Sequence, residues 1–508
     1  MIRFDWLSKW AQYSGSKQAV KEFETDRTMT YAQLNNVVQQ VAHTFISHCG
    51  LQRGDRVAIF AENSLEHLIL FFTAQKTGLI IVPLNFRLAI PEIDFQLRDA
   101  RPRLIIIEDK FRATLEQCVS LKQIEFVWSV PELQDVCSSK KSAAQDFSPH
   151  HSLHEDDPVF ILYTSGSTGV PKGVLYTHKM LFWNSINTTM RLDITSDDRS
   201  VSCMPLFHTG GWNVVPTPFL HRGASICLLK SFNAETVLRL LQDERATMFV
   251  AVPTMLQMMA QAKSFAEVDL AALRYFVIGG EPMPLPLIEQ WHHKGVPIRQ
   301  GYGLTEVGPS VTSLHQDDAI TKMGSIGKPN FYIDTQIVNE AGQAQSSGGV
   351  GELLLKGPTV TPGYWQNQEL TAAAIVDGWF HTGDLVKQDQ EGYLFVVDRK
   401  KNMYISGGEN VYPAEVEKFL HSLPAIEEVA IIGIPDEKWG EVGKAFVVTK
   451  PGFTLTEKEV SDYCLGNLAK YKIPKSVQFL SALPKNDAAK INRKELLQIH
   501  YSTLNNNH

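Results

Sequence analysis

Short runs of β-branched and aliphatic residues, spaced by longer helix-like stretches, constrain this chain more than any other feature. Arg56–Phe60 reads RVAIF, Leu79–Pro83 reads LIIVP and Arg103–Ile107 reads RLIII. The rhythm returns at Ser225–Leu229, Thr247–Val252 and Arg274–Gly280. Each run reads as a buried strand, and strands alternating with helices predict parallel β-α-β units. A helix is expected over residues 65–76. Another begins at Thr30, where Gln33 stands three positions on in a capping-box arrangement and Leu34, Val37, Val38, Val41 and Phe45 recur with helical spacing. With 508 residues, the chain exceeds the roughly 250–300 at which one core stops growing, so more than one domain is expected. Past residue 330 the texture changes to shorter strands separated by glycine turns, as in GGVGELLLKGP. PAEVEKFLHSL then starts a helix with proline in its first turn. EEVAIIGI and GKAFVVT lie between helices in a final α+β unit, and the boundary is expected close to Asp398–Lys401.

Charge and composition remove several function classes. The net charge is -7, which argues against nucleic-acid binding through global basicity. Six cysteines are scattered without a C-x-x-C pair, the pattern of reduced thiols in a cytoplasmic enzyme. MIRFDWLSKW lacks the apolar core of a signal peptide, and the greasy segment Leu68–Ala74 is too short to cross a bilayer. These readings predict no integral membrane segment, and at most a weak association with a membrane surface.

YTSGSTGVPKGVLYTH, Tyr163–His178, has the composition of a phosphate-holding loop: bare glycine amides can close on an anion and a lysine can neutralise it. It is not the common nucleotide loop, in which lysine directly follows glycine, because Val170 and Pro171 separate Gly169 from Lys172. Four further stretches stand downstream. They are QGYGLTE (Gln300–Glu306), GWFHTGD (Gly378–Asp384), DRKKNMYISGGENVYP (Asp398–Pro413) and PKNDAAKINRKEL (Pro484–Leu496). One glycine loop is a weak signal, whereas five ordered motifs are a strong one. Together they resemble the adenylate-forming acyl-CoA synthetase family, over about Thr30 to Lys494.

The resemblance implies an α/β fold. A large N-terminal domain, residues 1–398, would combine parallel β-α-β sheets with a distorted β-barrel, and a small mobile α+β domain, residues 399–508, would follow. It implies ATP, Mg²⁺ and coenzyme A as reactants and admits a homodimer. Thr164, Ser165, Ser167 and Thr168 would offer hydroxyls to the β- and γ-phosphates. Gly166 and Gly169 would keep the backbone open, and Lys172 would add charge. Tyr302 would stack on adenine beside Gly279, Gly280 and Glu281, with Gly303 in the same turn. Thr305 would bond near the α-phosphate and Glu306 would bind Mg²⁺, since a hard cation bridging phosphates needs a carboxylate. Asp384 and Arg399 would hold the ribose. Lys401 would be the hinge, and Lys490 the lysine that stabilises charge growing on the α-phosphate. Three positions depart from the family pattern: Glu281 replaces a small residue, Asn402 an aspartate and Ala488-Ala489 a Thr-Gly pair.

For the acid, the resemblance points to MPLFHTGGWNVV, with His208 and a Trp212 gate, and to Gly301, Val307 and Gly308. Phe207, Val307, Gly308 and Pro309 offer no partner for a second charge, so the expected substrate is an apolar acid, fatty or aryl. Arg87, Gly407, Gly408 and Trp439 are the candidate contacts to coenzyme A. A medium- or long-chain fatty acid is expected first; the alternatives are an aryl-acid ligase of the benzoate or succinylbenzoate type and an enzyme that loads a carrier protein with the same adenylate.

Overall fold

The computed structural model describes residues 4–138, 153–164, 171–280, 283–406, 409–437, 439–465, 467–468, 470–486 and 490–505. The chain forms two compact units, one of Met1–Thr335 with Leu355–Phe380 and one of Gln336–Leu354 with His381–His508.

In the first unit the predicted strands pair as parallel β-α-β units. Arg56–Phe60 lies between Ile80–Pro83 and Leu104–Ile107, parallel to both. Phe126–Ser129 and Pro158–Thr164 extend this sheet in parallel, and Lys172–Thr177 closes one edge antiparallel. A second sheet of nine strands runs parallel from Gln18–Glu22 through Ser225–Leu228, Arg199–Ser202, Met248–Ala251 and Tyr275–Ile278 to Ile298–Tyr302. Antiparallel strands curl on at its far end, Thr312–Ser313 and Lys328–Pro329. At the other edge Gln18–Glu22 forms a hairpin with Arg27–Thr30.

Helix Leu65–Thr77 explains how the large core closes. All thirteen of its residues are buried, so it has no solvent face. Leu68, Phe71 and Phe72 join a core that also takes Leu34 and Val38 from helix Tyr31–His43, which Thr30 and Gln33 cap reciprocally as expected. Burial makes unpaired polar groups on this helix costly, and its charged residues are paired, whereas the Gln75 amide has no hydrogen-bond partner among the described residues. Glu66 accepts from Arg27 at 2.6 and 3.0 Å and from Gln134 at 2.9 Å, while Lys76 donates to Asp5 at 2.7 Å and Ser8 at 2.5 Å. Gly78, at φ +74°, ends the helix in the left-handed conformation that glycine adopts without a Cβ clash.

The second unit is α+β. Ile426–Asp436 and Gly440–Thr449 pair antiparallel, and Ser476–Phe479 adds in parallel. Helix Pro413–Leu420 places proline in its first turn, where no amide partner is lost, and buries Val416 and Leu420 against Val429, Ile431, Ala445 and Val447. Among the described residues no helix is long and apolar enough to cross a membrane. All six cysteines are free thiols, five of them buried.

Candidate active site

Parallel strands in both sheets of the first unit deliver their carboxyl ends to the candidate residues. Thr164 ends Pro158–Thr164, Tyr302 ends Ile298–Tyr302, Gly280 follows Tyr275–Ile278, and Arg87 follows Ile80–Pro83. This is the edge at which α/β sheets bind ligands, because the loops of neighbouring β-α units diverge there and leave a crevice. Asn63, just past strand Arg56–Phe60, joins the two sheets at that edge. Its Oδ1 accepts from the Leu206 amide at 2.8 Å, and its Nδ2 donates to the carbonyls of Met204 at 3.0 Å and Leu229 at 3.2 Å.

Thr164 and Lys172 are direct partners across the antiparallel pair, so the segment between them leaves and returns at one point of the sheet. Lys172 Nζ sits 5.3 Å from the centre of the Tyr364 ring. The Tyr364 hydroxyl donates to Glu306 Oε1 at 3.0 Å, and the Glu306 carbonyl accepts from the Thr361 amide at 2.8 Å. Burial, with the Glu306 charge beside it, pushes the Tyr364 phenol far up, so it keeps its proton and can only donate to the carboxylate. Glu306 lies in the turn Thr305–Val307, which two glycines make room for. A Cβ on Gly303 would fall 1.5 Å from the Pro309 carbonyl oxygen. Gly308 adopts φ +78°, and a Cβ there would lie 3.2 Å from the Cβ atoms of Asn184 and Thr359. Asn184 in turn accepts from the Ser310 amide at 3.2 Å and donates to the Asn213 carbonyl at 2.7 Å, linking the 307–310 turn to the 204–213 segment. Among the described residues no group of three or more His, Cys, Asp or Glu converges. One carboxylate with hydroxyls nearby suits Mg²⁺, which keeps waters and takes substrate phosphates as ligands.

The candidate acyl segment divides between core and edge. Trp212 is fully buried; its Nε1 donates to the Leu206 carbonyl, and its ring packs 4.9 Å from Phe160 and 5.6 Å from Phe71. His208 is half-buried, with its ring 4.8 Å from that of Phe207. Arg87 stands over both Phe86 and Phe207, 5.5 and 5.7 Å from the ring centres. Gly301 pairs with Ser313, and Val307 is buried.

In the second unit Asp384 and Arg399 are strand partners as well as an ion pair, and the carboxylate is buried. Glu352 braces them: it accepts from the Gly383 amide at 3.2 Å and from Lys400 Nζ at 3.0 Å. Asp398 accepts from the Arg399 amide at 2.6 Å, from Asn402 at 3.1 Å and from the Ala414 amide at 2.9 Å, so it holds both flanks of the exposed Lys401. Asn486 brackets Lys490 through its side-chain oxygen, 3.0 Å from the Lys490 amide, and its own amide, 2.8 Å from the Lys490 carbonyl. Arg493, one turn on, bonds Glu417 at 2.6 Å. Trp439 is 44% exposed, its amide donating to Asp436 at 3.0 Å. Ser165, Gly166, Ser167, Thr168, Gly169, Glu281, Gly407, Gly408 and the pair Ala488-Ala489 lie outside the described residues. Sequence reasoning missed Asn63, Asn184, Glu352 and Tyr364. Their signal is a side-chain contact across a long sequence separation, 58 residues for Tyr364 and Glu306, which no local pattern carries.

Comparison with known proteins fits this arrangement. The model of the AMP-binding enzyme family matches residues 7–365, and that of the AMP-binding enzyme C-terminal domain matches residues 415–490. Feruloyl-CoA synthase of Amycolatopsis sp is 38% identical over 491 residues, 97% of each chain. Long-chain-fatty-acid–CoA ligase FadD13 of Mycobacterium tuberculosis is 38% identical over 503 residues, 98% of each chain. Among solved structures, O-succinylbenzoate coenzyme A synthetase from Bacillus subtilis, in complex with ATP and magnesium ion, superposes with a TM-score of 0.87 at 32% identity, covering 97% of this chain and 99% of that one. The chain belongs to the AMP-binding enzyme family, among the adenylate-forming acyl-CoA ligases.

Proposed function

We propose that this enzyme activates an apolar monocarboxylic acid, foremost a medium- or long-chain fatty acid, and transfers it to coenzyme A. The substrate carboxylate attacks the α-phosphorus of ATP, the bond to the bridging oxygen breaks, and pyrophosphate leaves. The coenzyme A thiolate then attacks the acyl carbonyl, and AMP leaves. The observation that carries the reading is the Lys172–Tyr364–Glu306 chain at the carboxyl ends of the strands, because it sets a cation and a carboxylate around one point.

On this reading Lys172 and the Thr164 hydroxyl hold the outer phosphates, Thr305 the α-phosphate region, and Tyr302 the adenine beside Gly280. Mg²⁺, when bound, neutralises phosphate charge as pyrophosphate separates, and Glu306 would hold it. Asp384 accepts from the ribose hydroxyls while Arg399 fixes its carboxylate. Residues 399–508 act as the mobile domain and turn at Lys401. In one pose Lys490 meets the α-phosphate, and in the other the glycine pair 407–408 and Trp439 border the thiol, with Arg87 on the coenzyme's phosphates. Support for an apolar acid comes from Met204–Trp212 and Val307–Pro309, which contain no lysine or arginine of their own to pair with a second carboxylate; Arg87, over Phe207, is the cation assigned here to coenzyme A.

The deciding experiment measures AMP and pyrophosphate release across acetate, octanoate, palmitate, benzoate and ferulate, with and without coenzyme A. Octanoate or palmitate should lead and yield a thioester only with coenzyme A. Acid-dependent ADP and orthophosphate would overturn the reaction. A lead for ferulate would select the second reading, an aryl-acid ligase, which the 38% identity to feruloyl-CoA synthase favours.

A further inference from the structure

The segment Thr361–Trp365 ties together two elements that the reaction uses separately. Its Trp365 amide donates to the Gly173 carbonyl at 2.7 Å, and the Gly363 carbonyl accepts from the Leu175 amide at 3.1 Å, so it is stitched to the strand that begins at Lys172. Thr361 Oγ1 donates to the Leu175 carbonyl at 2.6 Å, while the Thr361 amide holds the Glu306 carbonyl. Within this brace the Tyr364 amide donates to Thr371 Oγ1 at 3.0 Å, and only 6% of the residue is exposed. Among the described residues two charged groups meet its side chain, the ammonium of Lys172 over the ring and the carboxylate of Glu306 on the hydroxyl.

The main-chain bonds would hold Glu306 and Lys172 with any residue at position 364, so the phenol has a separate task. A carboxylate that takes a metal gains from being fixed before the metal arrives, because otherwise its rotation must be frozen on binding. A hydroxyl bonded to one oxygen fixes that rotation. The ring face, negative in its quadrupole, gives the lysine ammonium a resting place beside the phosphate site without neutralising it, as a second carboxylate would.

From this geometry we infer that Tyr364 is a positioning residue for nucleotide binding: its hydroxyl orients Glu306 toward Mg²⁺ and its ring seats Lys172. The inference rests on the assignment of Glu306 to the metal and Lys172 to phosphate made above. Calorimetric titration with ATP, with Mg²⁺ or with a chelator and without any carboxylic acid, gives the factor by which metal strengthens binding, with no turnover required. Tyr364→Phe keeps the ring and should cut that factor roughly tenfold, the worth of one hydrogen bond to a charged group. It should leave metal-free ATP affinity and the KM for the acid at wild-type values and lower the thermal midpoint by only several degrees, the cost of one buried hydrogen bond. Tyr364→Leu should lower the metal-free affinity as well, because the seat of Lys172 is gone. Glu306→Gln separates the two layers of the argument. If Glu306→Gln loses the metal factor while Tyr364→Phe keeps it within twofold, the positioning role is wrong and the Glu306 assignment stands. If Glu306→Gln also keeps the factor, the metal assignment falls and the inference with it.

Discussion

Three imidazoles in the first unit do most to make its stability depend on acid, and a fourth, His292, is lowered by burial in the same sense. His67, His178 and His221 are buried, or nearly so, and in each case burial is the main cause of a lowered pKa. His67 is pushed to about 4 despite Glu66, His178 to about 4 despite Asp157, and His221 to about 3 with Arg222 adding to the shift. An unfolded imidazole takes a proton near pH 6.5, whereas these refuse it until far lower, so acid favours the unfolded chain. Their stabilising contribution is complete above pH 6.5 and drains away as pH falls toward 4. Between pH 7.5 and 5.5 each should cost about 1.3 kcal/mol, and the three about 4 kcal/mol, a large share of a domain's ~5–15 kcal/mol. Carboxylates of an unfolded chain titrate near pH 4, below this window. Glu417, raised by burial, works in the opposite sense but belongs to the second unit. Eight of the nine tryptophans belong to the first unit, so urea unfolding followed by tryptophan fluorescence reports on it. His178 gives the sharpest control, since neither ring nitrogen has a hydrogen-bond partner among the described residues and its ring lies 4.9 Å from that of Phe4. His178→Phe should fold at pH 7.5 and lose about 1.3 kcal/mol less than wild type on acidification. Equal losses in the two proteins, or a flat wild-type profile, would refute the reasoning.

Three further outcomes are expected. Lys490→Ala should adenylate at least roughly 10²–10³-fold more slowly yet still convert a synthetic acyl-adenylate plus coenzyme A to thioester, whereas Lys401→Pro should form one adenylate and stall; stopped-flow measurement of each half-reaction reads both, and equal loss of both steps in both variants contradicts domain alternation. Trp212→Ala should cost about 3–5 kcal/mol in urea unfolding because it empties a fully buried site, and the more conservative Trp212→Phe should shift the preferred chain length; an unchanged profile from acetate to palmitate confines Trp212 to the core. Cys203 and Cys227 thiols, which burial pushes to about 12, should resist a thiol reagent at pH 8 until denaturant is added, and rapid labelling of the native protein would contradict their placement.

The parallel strands were legible because a strand buried on both faces must be apolar along its length, as RVAIF and RLIII are. The hairpin Gln18–Glu22 with Arg27–Thr30 was not, because QAVKE and RTMT mix polar and apolar residues and their place is fixed by Val20 lying opposite Ile226. Lys172 and Glu306 stood out because glycines, hydroxyls and a charge crowd each of their motifs. Tyr364 carries no such company: a tyrosine between Gly363 and Trp365 reads as core until the fold sets its hydroxyl on Glu306. Trp212 shows the converse, a residue singled out by its motif whose ring is packed against Phe71 and Phe160.

The strand Gln18–Glu22 also sets a waiting time during synthesis. It reaches its sheet only by pairing with Ser225–Leu228, about two hundred residues later. At ~5–20 residues per second, a ribosome needs about 10–40 s to deliver that partner. For that interval Ala19 and Val20, both buried in the finished protein, stand on an unpaired edge beside the emerging chain. A nascent chain with this topology is a natural client for a holding chaperone, and slowing translation ahead of residue 225 should lengthen its exposure to aggregation.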